Sequence, residues 1–174
     1  MKPVDASYER NLMPIPETGK KAPQFTLPDS DGEKISLKNS LGRYVVLFFY
    51  PKDLTPGCTT ESCDFRDYEK KFSKLNCQIF GISRDSVERH VKFRDKYSLN
   101  FPLLSDEAGK VCEKYGVWQE KKLYGKSFMG IVRTTFLIDE KGKIIKMYPK
   151  VKVKEHVDKV FNDLEAILNH QPYL

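Results

Sequence analysis

Seven consecutive residues, Tyr44-Val-Val-Leu-Phe-Phe-Tyr50, are apolar or aromatic and rich in β-formers, and Pro51 closes the run. Such a strand has no polar side to present to water, so it belongs in the middle of a sheet that is covered on both faces. Cys77-Gln-Ile-Phe-Gly-Ile82 reads as a second buried strand. Helical spacing fills the intervals. Phe65, Tyr68, Phe72 and Leu75 recur behind a helix start near Pro56; residues 86 to 98 form another helix and Asp106 to Tyr115 a shorter one, capped by Gly116. Arg133–Ile138 and Lys143–Tyr148 flank the turn Asp139-Glu-Lys-Gly142 as a hairpin, and Val157, Val160, Phe161, Leu164, Ile167 and Leu168 mark the apolar stripe of a last helix. Short extended stretches around Gln24–Leu27 and Lys34–Leu37 bracket the turn at Asp29–Gly32. This order predicts an α/β protein, a central mixed β-sheet flanked by helices on both faces.

A chain of 174 residues is most economically one domain, here 19–174, preceded by a polar, proline-bearing arm at 1–18. Its net charge of +6 invites a nucleic-acid reading. Much of the excess lies between Lys121 and Lys159, where lysines alternate with Ile144, Ile145, Met147, Val151 and Val153. That is the pattern of a wet strand face, and no nucleic-acid-binding signature accompanies it. No run has the length of a membrane span, and the N-terminal stretch, with Asp5, Glu9 and Glu17, resembles neither a secretory signal nor a transit peptide. Four cysteines are too few for a disulfide scaffold. The expected location is therefore the reducing cytoplasm, where paired cysteines are catalytic or metal-binding more often than structural.

Two of those cysteines stand in Thr55-Pro-Gly-Cys58-Thr-Thr-Glu-Ser-Cys63. With Thr55 as N-cap, Pro56 falls at N1 and Cys58 at N3. A sulfur there faces free backbone N–H groups and the positive end of the helix dipole, and both favour thiolate over thiol. Gly57 is expected to leave that sulfur exposed to a small substrate, the setting of a nucleophilic cysteine. Cys63 raises a geometric problem. Five residues along a helix rotate ~140° and rise ~7.5 Å, leaving the Cα atoms roughly 8–9 Å apart, whereas a disulfide needs about 7 Å or less. If the two thiols work together, the first turns of this helix must melt in each cycle.

Pro51-x-x-x-Thr55-x-x-Cys58, continuing to Cys63, resembles the active-site segment of a peroxiredoxin, and specifically the bacterioferritin-comigratory (PrxQ) subfamily. Similar stretches run through most of the chain: Ala22–Leu27, Gly81-Ile-Ser83, Phe101–Asp106, Tyr115-Gly-Val-Trp118 and Arg133-Thr-Thr-Phe136 with Asp139 and Gly142. The resemblance implies a thioredoxin-like fold and reduction of hydrogen peroxide and organic hydroperoxides without a cofactor. It makes Cys58 the peroxidatic cysteine, oxidised to a sulfenic acid, and Cys63 the resolving cysteine that closes an intramolecular disulfide. Thioredoxin or a similar dithiol would reopen it. Thr55 would hydrogen-bond the thiolate or the peroxide, Pro51 would shield the pocket from water, and Arg133 would be the distant cation, with Glu61 orienting it. Ser62 departs from the small apolar residue common at that position and is expected to ease unwinding slightly. Members of the subfamily are often monomers, and a monomer is expected here.

The remaining candidates read as structure. Cys77 and Cys112 sit among core positions, His90 is expected to be a satisfied core histidine, and Tyr50 is a core residue that reaches toward the pocket mouth. His156 and His170 lack partners at metal-ligand spacing. Two rival functions are a thioredoxin-type oxidoreductase, which would want C-x-x-C, and a redox sensor or nucleic-acid module using the basic face.

Overall fold

The computed structural model describes residues 14–170. The five-stranded mixed sheet has the order β5-β4-β3-β8-β9, where β3 is Tyr44–Phe49, β4 Cys77–Ser83, β5 Leu103–Ser105, β8 Thr134–Ile138 and β9 Ile144–Tyr148. β4 runs parallel to β3 and to β5, while β8 is antiparallel to β3 and to β9. β3 is buried at every residue and occupies the centre, as its uninterrupted apolar run requires. Its side chains alternate between two cores. Val45, Leu47 and Phe49 point to one, and Val46, Phe48 and Tyr50 to the other.

Three helices cover the second face: α1 (Pro56–Lys74), α2 (Val87–Tyr97) and α4 (His156–Asn169), contributing Phe65 and Phe72, Phe93, and Val157, Val160 and Leu164 respectively. The first face is covered by the short α3 (Lys110–Lys114), by the antiparallel pair β1 (Thr26–Pro28) and β2 (Lys34–Ser36), and by the foot of a hairpin. That hairpin, β6 (Trp118–Leu123) with β7 (Lys126–Ile131), is not expected from the sequence, and neither is β5. Its side chains are mostly half-buried or exposed on both faces, so no alternation announces it. The turn joins at Tyr124 and Gly125 with φ of 52° and 75°, the left-handed pair that a two-residue hairpin turn demands.

α3 is shorter than the helix expected over Asp106–Tyr115, because Asp106 serves as its anchor: the buried carboxylate accepts from the N–H groups of Val111 and Cys112. Gly116 follows with φ +66°, and a Cβ there would stand 2.5 Å from the backbone of Ile15. Only glycine lets residues 14–15 lie across this turn, where Ile15 packs against the first core. The rest of the expected arm, residues 1–13, lies outside the described residues. No helix among the described residues is long and apolar enough to cross a membrane.

Candidate active site

β3 ends at Phe49, opposite Thr134 in the antiparallel register with β8. Arg133, one residue earlier, is thereby delivered past the end of β3 to the start of α1. Its Nη2 donates to Cys58 Sγ at 3.4 Å and its Nη1 to Glu61 Oε1 at 2.8 Å. One guanidinium thus bridges two residues of the first helical turns, a planar fork that an ammonium cannot reproduce. Glu61 is fully buried. Burial raises its pKa to about 7, against the pull of the Arg133 cation and its hydrogen bond. Burial works against the charge on Arg133, but the Glu61 carboxylate and the Cys58 sulfur outweigh it and lift its pKa above the ordinary value.

Cys58 itself is only 1% exposed, contrary to the open sulfur expected at a helix start. The glycine beside it serves the protein rather than the substrate: a Cβ on Gly57 would meet Arg133 Nη2 at 3.2 Å. The missing side chain admits the guanidinium, which packs over the sulfur. Thr55 is the N-cap by backbone geometry, yet its hydroxyl makes no capping bond. It donates instead to the carbonyl of Lys52 at 2.8 Å, where the chain turns back through Leu54 at φ +65°. With that proton committed, Thr55 Oγ1 is left with acceptor capacity only.

The loop that feeds α1 is pinned from the opposite side by Asp53. Its Oδ1 accepts from Tyr50 Oη at 2.6 Å, its Oδ2 meets His90 Nδ1 at 2.6 Å, its N–H donates to Asp85 and its carbonyl accepts from Arg89. His90 Nε2 faces the Leu104 carbonyl at 3.1 Å, so both ring nitrogens are engaged. His90 is a satisfied core histidine, as expected. Tyr50 is fully buried, and its hydroxyl is taken by Asp53 rather than reaching the pocket mouth. Asp53 gives no signal in the sequence, because its meaning depends on a partner 37 residues away.

Lys121 of β6 is equally inconspicuous in the sequence, one lysine among many in a wet, basic stretch. Its ammonium donates to the Ile131 carbonyl. Burial lowers its pKa, as does the Arg133 cation, while the Cys58 sulfur opposes the change, so Lys121 lies within electrostatic reach of the reactive pair. It lines a cavity of about 390 Å³ together with Pro51, Trp118, Phe128, Met129 and Ile131. The Arg84 guanidinium stacks over Trp118 at 4.3 Å.

Cys63 lies half-buried on the unbroken α1 and is a free thiol, as is Cys58. Burial raises its pKa, with Arg66 opposing. The two sulfurs therefore sit on a continuous helix at a spacing that forbids a bond without local unwinding. Cys77 and Cys112 are buried and their pKa values are pushed up by burial, that of Cys77 to about 12. His156 is buried against Thr135 Oγ1 and held neutral, its pKa lowered by burial to about 4.

The AhpC/TSA family matches residues 18–147. The chain belongs to this family. It is 50% identical over 149 residues to the peroxiredoxin Bcp of Bacillus subtilis, covering 86% of this chain and 95% of that one. To the peroxiredoxin Bcp of Escherichia coli K12 it is 45% identical over 149 residues, or 86% and 96% of the two chains. Among solved structures it is similar to the Xanthomonas campestris bacterioferritin comigratory protein, with a TM-score of 0.79 at 41% identity over 82% of this chain and 91% of the other. A cysteine-to-serine mutant of Xylella fastidiosa PrxQ gives a TM-score of 0.82 at 36% identity over 90% and 98%. The chain is a thioredoxin-like peroxiredoxin of the Bcp/PrxQ type, a thiol-dependent peroxidase that takes a hydroperoxide and a thiol reductant.

Proposed function

We propose that Cys58 is the peroxidatic cysteine and Cys63 the resolving one, in an intramolecular cycle reset by thioredoxin or a similar dithiol. The single observation that carries the assignment is Arg133 donating simultaneously to Cys58 Sγ and Glu61 Oε1. That contact stabilises the thiolate and leaves the guanidinium aimed where charge develops on the peroxide oxygens. The bound hydroperoxide donates its O–H to Thr55 Oγ1, the acceptor left by the bond to Lys52. The thiolate attacks the hydroxyl oxygen, the O–O bond breaks, and the alkoxide or hydroxide leaves as alcohol or water after taking a proton. Cys58 is then a sulfenic acid. Pro51 also lines the neighbouring cavity, whose walls combine the apolar Trp118, Phe128, Met129 and Ile131 with the charged Lys52, Arg84, Asp85 and Lys121. That lining supports organic hydroperoxides as well as hydrogen peroxide, and alkyl peroxide reduction is an activity of the Xanthomonas campestris protein.

Unwinding of the first turns of α1 brings Cys63 to the sulfenate, the disulfide forms with loss of water, and a dithiol reduces it by exchange. The proposed setting is a cytoplasmic monomer acting on small peroxides, with neither nucleic acid nor membrane as partner. Reduced protein treated with one equivalent of hydrogen peroxide and mapped by mass spectrometry tests the cycle. Loss of two hydrogens with Cys58 and Cys63 joined supports it. An added oxygen retained on Cys58 with Cys63 free removes Cys63 from the role, and no reaction at Cys58 removes the assignment altogether.

A further inference from the structure

The stretch of α1 between the two cysteines contains two consecutive residues that are fully buried and carry a polar atom without a hydrogen-bond partner among the described residues, Glu61 Oε2 and Ser62 Oγ. A helical serine ordinarily returns its proton to the carbonyl four residues back. Thr60, exposed on the same helix, does this with the Pro56 carbonyl at 3.1 Å. Ser62 makes no such bond. A hydroxyl removed from water without a partner destabilises the folded turn relative to an unwound one in which water reaches it. The segment before Cys58 is fixed: Asp53 is held through both carboxylate oxygens, its N–H and its carbonyl, and Thr55 is tied to Lys52. The chain is therefore pinned up to the start of α1 and weakened just beyond it.

We propose that Ser62 is a positioning residue for the resolving step: its buried, unpartnered hydroxyl holds the turn between Cys58 and Cys63 close to unwinding and so sets how fast the sulfenate is captured. The inference rests on the two-thiol cycle proposed above. In that step the Cys63 sulfur attacks the Cys58 sulfenic sulfur, the S–O bond breaks as the S–S bond forms, and the oxygen leaves as water with the sulfenic hydrogen and the thiol proton. No further reductant is needed. The competing event is a second hydroperoxide, which transfers oxygen to the sulfenate to give a sulfinate and an alcohol or water. Ser62 acts on the balance between the two by changing the lifetime of the sulfenate.

The test compares the full-length protein with Ser62→Ala and Thr60→Ala, mixing each with hydrogen peroxide in a quenched-flow apparatus and counting oxygen additions and disulfides by intact mass. Ser62→Ala should form sulfenic acid at the wild-type rate and close the Cys58–Cys63 disulfide about tenfold more slowly, equivalent to about 1.4 kcal/mol and within the range for an orphaned buried hydroxyl. Its sulfinic fraction at excess peroxide should rise accordingly. Thr60→Ala controls for the higher helix propensity of alanine and should change either rate by no more than about threefold. Equal disulfide rates in Ser62→Ala and wild type overturn the inference while leaving the cycle intact. So does a Thr60→Ala slowing as large as that of Ser62→Ala, or a loss of both steps together. Absence of a Cys58–Cys63 disulfide in the wild type overturns the cycle and this inference with it.

Discussion

Replacing Glu61 by glutamine should change the pH dependence of folding stability in a way that isolates the buried carboxyl. Glu61 is raised from an ordinary 4.5 to about 7, chiefly by burial. Between those values the folded protein binds a proton at this site that the unfolded chain has already released. Stability from this group is therefore fully present below pH 4.5 and is lost as the pH rises toward and through 7. At 1.36 kcal/mol per pH unit the loss amounts to about 3 kcal/mol. Glu61→Gln keeps the shape and the Arg133 neighbourhood but cannot titrate. Urea unfolding at intervals from pH 4 to pH 8, in a Cys58→Ser background so that no thiolate competes for Arg133, gives the two stability curves. Their difference should tilt toward the glutamine variant by about 3 kcal/mol across this interval. Parallel curves would refute the reasoning, because a carboxyl that folding leaves at its ordinary value has no differential proton to contribute.

Arg133→Lys should lower kcat/KM for hydroperoxide by about 10²–10³, since one ammonium cannot donate to Cys58 and Glu61 at once; steady-state peroxidase kinetics showing less than a threefold change would contradict this. His90→Ala should destabilise the protein by about 1–3 kcal/mol by leaving Asp53 Oδ2 buried without its hydrogen-bond partner, with His90→Gln recovering part of the loss, both read from urea midpoints. The rate of disulfide closure should climb with pH from neutrality upward, because the species that attacks once α1 has unwound is the Cys63 thiolate. Quenched-flow measurements from pH 6 to pH 10 check it, and a flat profile contradicts it, because closure would then be limited by unwinding and not by thiolate formation.

The parts of the fold legible in the sequence are those whose burial is one-sided or complete. β3 can be read because every residue in it is apolar, and α4 because its apolar stripe faces a single core. β6 and β7 cannot, since Trp-Gln-Glu-Lys-Lys-Leu shows neither alternation nor a continuous apolar run. The sequence overstates the length of α3 because Asp106 looks like an ordinary helical residue until its carboxylate is seen capping the N–H groups of Val111 and Cys112. At the site, the helix start at Pro56 and the cysteine spacing are local features and are plain. The antiparallel register that brings Arg133 across 75 residues to Cys58 is not local, and only family resemblance points to it. Gly57 suggests the wrong beneficiary for the same reason: the atom that needs its space belongs to Arg133.

Trp118 is the sole tryptophan of the chain, and it forms one wall of the cavity beside Pro51 with a cation laid on its ring. Indole emission depends on neighbouring charge and hydration, and this indole borders the cavity that Pro51 and Lys121 also line. The molecule thus carries its own optical clock. Each turnover should be visible as a rise or fall of ultraviolet fluorescence, with no dye or coupled reductase between the chemistry and the observer.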